Sequence, residues 1–201
     1  MIHTDARFAE AVETAVTRLE TLTDAELVVV AAPRSGSYRD VVAISAGVVS
    51  FVFLLLAVYS PWAFSPLWLP LDLAVVGGLT AWVVARAPGL TRRLVSARRR
   101  KAQVDDAAAA AFVQEQVHGT RNRTGVLIYV SALEAEVRVL PDHGLDGRVP
   151  RGEWNRIRWH ATALDPFLKG LEQVGDVLAR HVPPVEGDNP DEIPNAPRVR
   201  E

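Results

Sequence analysis

The chain has 201 residues and no cysteine. That excludes a disulfide framework, a thiolate zinc centre and a thiol nucleophile. It carries no Gly-x-Ser-x-Gly elbow, no glycine-rich phosphate loop and no His-Glu-x-x-His helix, so the short signatures of hydrolases, nucleotide binders and metalloproteases are missing too. Met1 to Ala25 is polar and amphipathic, unlike a cleaved signal peptide. The most telling absence is of charge: no Asp, Glu, Lys or Arg lies between Asp40 and Asp72.

Within that charge-free stretch Val41 to Tyr59 is apolar apart from two serines and the tyrosine hydroxyl. As a helix it would reach roughly 28 Å, close to the hydrocarbon thickness of a bilayer. A second run, Leu67 to Ala85, is interrupted by Pro70 and Asp72 near its start, where a carboxylate still reaches headgroup water. Ser60 to Pro66 reads as a proline-bounded turn. The spacing predicts a transmembrane helical hairpin over 41–87, with spans at about 41–59 and 67–86. Tyr59, Trp62 and Trp68 suit one interfacial belt and Trp82 the other. Ala43 with Gly47, and Gly77 with Ala81, are small pairs that would let two helices approach closely.

Flanking charge sets the orientation. Arg34 and Arg39 precede the first span, while Arg86, Arg92, Arg93, Arg98, Arg99, Arg100 and Lys101 follow the second. The connecting turn has no basic residue. Both termini are therefore expected on the cytoplasmic side of the inner (plasma) membrane, with the first span as insertion signal. Arg92, Arg93, Arg98, Arg99, Arg100 and Lys101 are expected to meet anionic lipid headgroups rather than nucleic acid.

The remaining chain reads as one domain split by the hairpin. In 1–40, Phe8, Val12, Ala15, Val16, Leu19 and Leu22 recur at helical spacing from about Asp5 to Leu22. Glu26 to Ala32 follows as a short apolar run, the pattern of a strand buried on both faces. One helix and one strand cannot bury a core unaided, so the partner surface must come from 88–182. There a long helix is predicted from Leu90 to His118, capped by Gly119. A buried strand (Gly125–Ser131), a turn (132–135) and a half-exposed strand (Glu136–Leu140) come next. A helical stripe through Trp154, Ile157, Ala161 and Leu164 restarts at Asp165-Pro166, with Asp165 as N-cap, and runs to Val182. Strand, long crossover and strand favour parallel pairing within an α/β sheet. Residues 183–201, with five prolines and several acids, read as a disordered tail.

Several of these residues carry a family resemblance. Thr23-Asp24-Ala25-Glu26-Leu27-Val28-Val29-Val30 resembles the opening strand of the TPM-domain family. His118 to Ser131 (His-Gly-Thr-Arg-Asn-Arg-Thr-Gly-Val-Leu-Ile-Tyr-Val-Ser) with Glu136 to Leu140 is similar to that family's central hairpin. The Asp142-His143-Gly144 turn and the stretch Val149 to Trp154 fit a membrane-bound bacterial branch. The resemblance covers roughly Asp5–Arg39 and Ala102–His181. It implies an α/β/α sandwich around a small sheet, and an accessory, assembly or regulatory role at a membrane protein complex. It also raises, as the alternative, a phosphatase dependent on a divalent cation such as calcium or magnesium. Two departures bear on that chemistry: Arg123-Thr124 stands where family members proposed to bind metal carry an acid, and Pro141-Asp142-His143-Gly144 replaces a glycine-rich turn.

If the two later strands are antiparallel and the first is parallel to the second, their polar ends meet. Asp24, Glu26, His118, Arg121, Arg123, Asp142 and His143 would then gather at one, membrane-distal, rim. Carboxylates and imidazoles together suit a divalent ion; arginines with Thr120 and Thr124 suit a phosphate. Turn, cap and ion-pair roles account for the same residues and carry more weight, and no catalytic residue is named. His3, His160 and His181 read as surface residues, and Trp159, with Arg156 and Arg158, as a partly buried aromatic at the surface.

Overall fold

A computed structural model describes residues 5–61, 65–159, 163–185 and 192–200. They divide into two compact units, Met1–Ser35 with Arg100–Glu201, and Gly36–Arg99. Met1 to Thr4, Trp62, His160 and Ala161 lie outside the described residues, so the expectations for His3, Trp62, His160 and Ala161 rest on sequence alone.

The first unit is mixed α/β. Helix α1 (Ala6–Glu20) opens on Asp5, whose carboxylate accepts the Phe8 N–H at 2.9 Å. Phe8, Val12, Val16 and Leu19 form its buried stripe, as their spacing demands. Leu22 falls beyond the helix end and stays half-exposed. Strand β1 (Leu27–Ala32) is buried throughout, and so is β2 (Val126–Ser131). They pair in parallel from Leu27↔Val126 to Ala32↔Ser131, while β3 (Glu136–Pro141) returns antiparallel to β2. A two-residue strand, β4 (Arg198–Val199), pairs with the other side of β1, giving the order β3-β2-β1-β4.

Two helical layers cover this sheet. Helices α1 and α7 (Leu164–His181) pack with Val29, Ala31, Ile128 and Val130, and Phe8 and Phe167 stand 5.9 Å apart between their centroids. A Cβ on Gly175 would meet Leu19 Cδ2 at 2.3 Å, so that glycine sets how closely α7 approaches α1. The opposite sheet face, with Val28, Val30, Leu127 and Tyr129, is covered by α5 (Ala97–Gln114) through Val104, Ala108 and Ala111. Each fully buried Leu or Phe contributes about 1.5–3 kcal/mol to holding these layers together.

Several boundaries differ from expectation. The single long helix predicted from Leu90 is two, α4 (Pro88–Leu94) and α5, separated where Val95 turns extended and Ser96 Oγ accepts the Arg99 N–H at 3.3 Å. Gly119 is not its cap: α5 ends at Gln114, Gln116 takes the left-handed conformation, and Val117–Gly119 forms a 3-10 turn. The stripe begun by Trp154 is only a short helix, α6 (Arg151–Arg156), and Asp165 sits in the first turn of α7, whose N-cap is Ala163. Trp159 packs on Phe167 at 5.7 Å, as a partly buried aromatic should. The largest correction concerns the tail. Residues 192–200 are not disordered: Ile193 is buried in the α5-side core and β4 extends the sheet.

The second unit holds the hairpin. Helices α2 (Arg39–Tyr59) and α3 (Leu69–Arg86) are both long and apolar enough to cross a membrane. Ala57 is the buried residue of α2 and Val84 that of α3; Ile44, Phe51, Leu56, Val75 and Leu79 all face outward. Of the predicted small pairs, Gly77 is where the helices close up, since a Cβ there would meet Ser50 Oγ at 2.8 Å. Gly47 instead faces open space. Helix α4 folds back, its Thr91 hydroxyl donating to the Val84 carbonyl at 2.9 Å. Ile44, Val48, Leu79, Val83, Leu90 and Leu94 line an apolar groove of about 590 Å³.

Candidate functional site

The strand register does bring the predicted polar ends to one rim. Beyond the Leu27–Val126–Pro141 row, the Val126 N–H donates to the Glu26 carbonyl and the Asp142 N–H to the Gly125 carbonyl, each at 2.8 Å. Glu26 and Asp142 thus flank Gly125, and both are buried. Asp24 stands next to them: its carbonyl accepts the Thr124 hydroxyl at 3.0 Å and its carboxylate the Asn122 amide at 3.2 Å.

The rim is nevertheless closed by backbone. A Cβ on Gly125 would lie 2.2 Å from the Val117 carbonyl oxygen, and one on Gly144 would lie 2.2 Å from that of Asn122. The 117–125 segment folds back on Gly125, and the 142–145 turn packs its Gly144 against the Asn122–Arg123 backbone. Asp142 Oδ1 caps the following 3-10 turn by accepting the His143 N–H at 2.8 Å. The His143 ring is almost fully exposed and meets Asp146 at 2.9 Å. His118 is half-buried beside Phe112, at 6.3 Å between ring centroids. Arg121 is exposed, its guanidinium 3.9 Å from Glu192, and Arg123 is exposed with a left-handed backbone.

Asp24, Glu26, Asp142 and Thr124 are thus brought together; His118, Arg121, Arg123 and His143 are not. Among the described residues no three Asp, Glu or His side chains converge as a metal site would require. The Val117 carbonyl lies against Gly125, between the strand ends that carry Glu26 and Asp142. Asp142 Oδ2 and Thr120 Oγ1 are both buried with no hydrogen-bond partner among the described residues. Such atoms lower the stability of the rim rather than create chemistry unaided.

The other end of the parallel strands holds a polar group that the sequence reasoning missed. Glu134, essentially inaccessible to solvent, accepts the Ser131 hydroxyl and the Ser35 N–H, the latter at 3.2 Å. Ser35 Oγ donates to Ser131 Oγ at 2.7 Å and lies 3.1 Å from the Tyr129 hydroxyl. The only hint in the sequence is that Tyr129 and Ser131 put hydroxyls into an otherwise apolar strand. The group satisfies its own buried polar atoms and holds the chain leaving β1. On the α5 side of the sheet Arg138 bridges Asp105 and Glu136; burial works against its charge, but those two carboxylates outweigh it and raise its pKa.

The predicted headgroup residues divide as well. Arg92, Arg93, Arg98 and Lys101 are exposed. Arg99 instead grips Asp40 with both terminal nitrogens, at 2.6 and 2.9 Å, and lies over the Tyr38 ring. Arg100 is half-buried. Arg86 sits 5.2 Å above the Trp82 ring, pairing a cation with an aromatic near the end of α3.

No protein-family model matches this chain, and no curated protein does. Among solved structures it is similar to the BA42 protein of the psychrophilic bacterium Bizionia argentinensis, determined by NMR. The similarity covers 98% of this chain and 94% of that one, at a TM-score of 0.57 and 17% identity. At that identity the likeness is one of fold, and it agrees with the mixed α/β architecture described above.

Proposed function

We propose that the protein is a membrane-anchored accessory module: a TPM-like α/β domain carried on its own inserted hairpin, serving the assembly or regulation of a membrane protein complex. In this reading the hairpin crosses the inner membrane, both termini are cytoplasmic, and the exposed arginines after α3 lie against anionic headgroups. The observation that carries it is the contrast at the rim and the hairpin. The polar residues best suited to chemistry are absorbed into caps, turns and backbone clasps. The apolar residues of α2 and α3, in contrast, are turned outward along nearly their whole length. Such a molecule has more surface to offer a partner than chemistry to offer a substrate.

The test is purification in mild detergent followed by mass spectrometry, paired with deletion of the gene. A stoichiometric membrane complex whose abundance falls in the deletion strain supports the proposal. Turnover of a phosphomonoester that disappears in Asp142→Ala overturns it in favour of the phosphatase alternative. Reporter fusions at the two ends check the topology, and opposite signals from them reject it.

A further inference from the structure

Without residues 192–200, β1 would be the outermost strand of the sheet. The two ends of its outer edge are closed by different means. At Leu27 the N–H donates to Glu20 Oε1 of α1, at 2.9 Å. At Ala31 the carbonyl accepts the Arg200 N–H, also at 2.9 Å. The first closure is part of the core, whereas the second is supplied by a segment reached only after α7 has ended.

That segment is held lightly but specifically. Its ladder with β1 is two residues long. A single apolar side chain, Ile193, enters the core between β1 and α5. Glu192 accepts the Arg121 N–H at 2.7 Å, and Asn195 donates to Thr17 Oγ1 at 3.1 Å. Arg198 and Arg200 converge on Glu115, each at 3.4 Å, and Arg200 also donates to Gln114 Oε1 at 2.8 Å. These ion pairs stay partly open to water, where each is worth about 1 kcal/mol at most. A crevice of about 260 Å³ remains between the segment and the end of α5, bounded by Glu115, Gly119, Ile193 and Arg198. By contrast β2, six residues long and fully buried, could not leave without opening the core.

We propose that the outer edge of β1 is a docking site for an extended segment of another polypeptide, with residues 192–200 as its built-in competitor. The resident segment defines what the edge recognises: an apolar residue, followed five and seven positions later by arginines, running parallel to β1. Main-chain hydrogen bonds to β1 supply the grip, as in other strand-addition complexes. The apolar anchor and the two guanidinium groups on Glu115 supply the selectivity. The proposal deepens the accessory reading, because it states how a partner would be held, and it rests on that reading for the partner's existence. A tethered segment presents itself at roughly millimolar effective concentration, so a foreign one gains the edge only by binding better or where the resident is weakened.

The experiment uses the full chain in detergent micelles and a fluorescent peptide with the sequence of residues 192–200, followed by anisotropy. The Arg198→Glu/Arg200→Glu chain, whose resident segment is repelled by Glu115, is expected to bind the peptide about tenfold more tightly than the unaltered chain. Adding Glu115→Arg to that variant re-matches the resident segment and should remove the gain, and a peptide carrying both glutamates should then bind no more tightly than the arginine peptide binds the unaltered chain. Amide protection across β2 checks that each variant is folded. A folded double variant that takes up no peptide at millimolar concentration overturns the proposal, as does equal binding of the arginine and glutamate peptides. Cross-links between position 198 of one chain and position 115 of another, in the unaltered protein, overturn the foreign partner and make a second copy the occupant. The peptide readout needs no membrane complex, so its failure leaves the accessory reading standing; absence of a complex likewise leaves peptide binding unaffected.

Discussion

The two compact units carry apolar runs of similar chemistry and dispose of them in opposite ways. In the α/β unit, all six residues of β1 and all six of β2 are buried. In the hairpin, a helix of 21 residues buries only Ala57. Hydrophobicity alone therefore does not say where a residue goes. A short apolar run bounded by Pro33 or Gly125 finds other protein, while a long uncharged one without such punctuation presents its side chains outward. Both hairpin helices are long and apolar enough to cross a membrane.

Four pairs of substitutions would break or sharpen this contrast. The largest effect is expected at Phe167, fully buried between α1 and the sheet: Phe167→Ala should destabilise the α/β unit by about 3–5 kcal/mol in chemical denaturation. Phe51→Ala, at an outward position of α2, should leave that transition within about 0.5 kcal/mol. Next comes charge. Phe51→Arg should lower hairpin insertion by about 2.5–3.5 kcal/mol in a glycosylation-mapped assay, whereas Leu22→Arg, half-exposed in the α/β unit, should change stability by about 0.5 kcal/mol or less.

The third concerns the two ends of the parallel strands. Glu134→Ala leaves the Ser131 hydroxyl and Ser35 N–H without their acceptor and should cost about 1–3 kcal/mol. Asp24→Ala loses only a hydrogen bond from exposed Asn122 and should cost about 1 kcal/mol or less. Equal losses would show that the rim is as demanding as the buried network. The last pair separates glycines. Gly125→Ala drives a methyl group into the Val117 backbone, but Gly47→Ala points into open space and should stabilise α2 by up to about 1 kcal/mol, read from helix melting in micelles.

What could be read in advance follows from the range of the interactions involved. Strands β1 and β2, their parallel pairing and the gathering of polar ends at one rim follow from local apolar runs and from antiparallel return at the 132–135 turn. The close approach of the Val117 carbonyl to Gly125 did not, because no local pattern announces it. The break between α4 and α5 hid inside a run of arginines, good helix formers; Ser96 as an N-cap was its one signal. Residues 192–200 looked disordered by composition, since Ile193, Arg198 and Arg200 acquire meaning only from Glu115 and β1 at long range. For the same reason Glu134, in a four-residue turn, gave no sign that two serines and a tyrosine would gather around it.

The parallel partners Ala32 and Ser131 belong to strands made at very different moments. At about 5–20 residues per second, translation leaves β1 waiting roughly 5–20 s before β2 has left the ribosome, with the hairpin emerging in between. Throughout that interval a bare Leu-Val-Val-Val-Ala-Ala stretch has no mate. The nascent chain is then most exposed to sticking to its neighbours, and holdase chaperones would have their greatest influence on yield during those seconds.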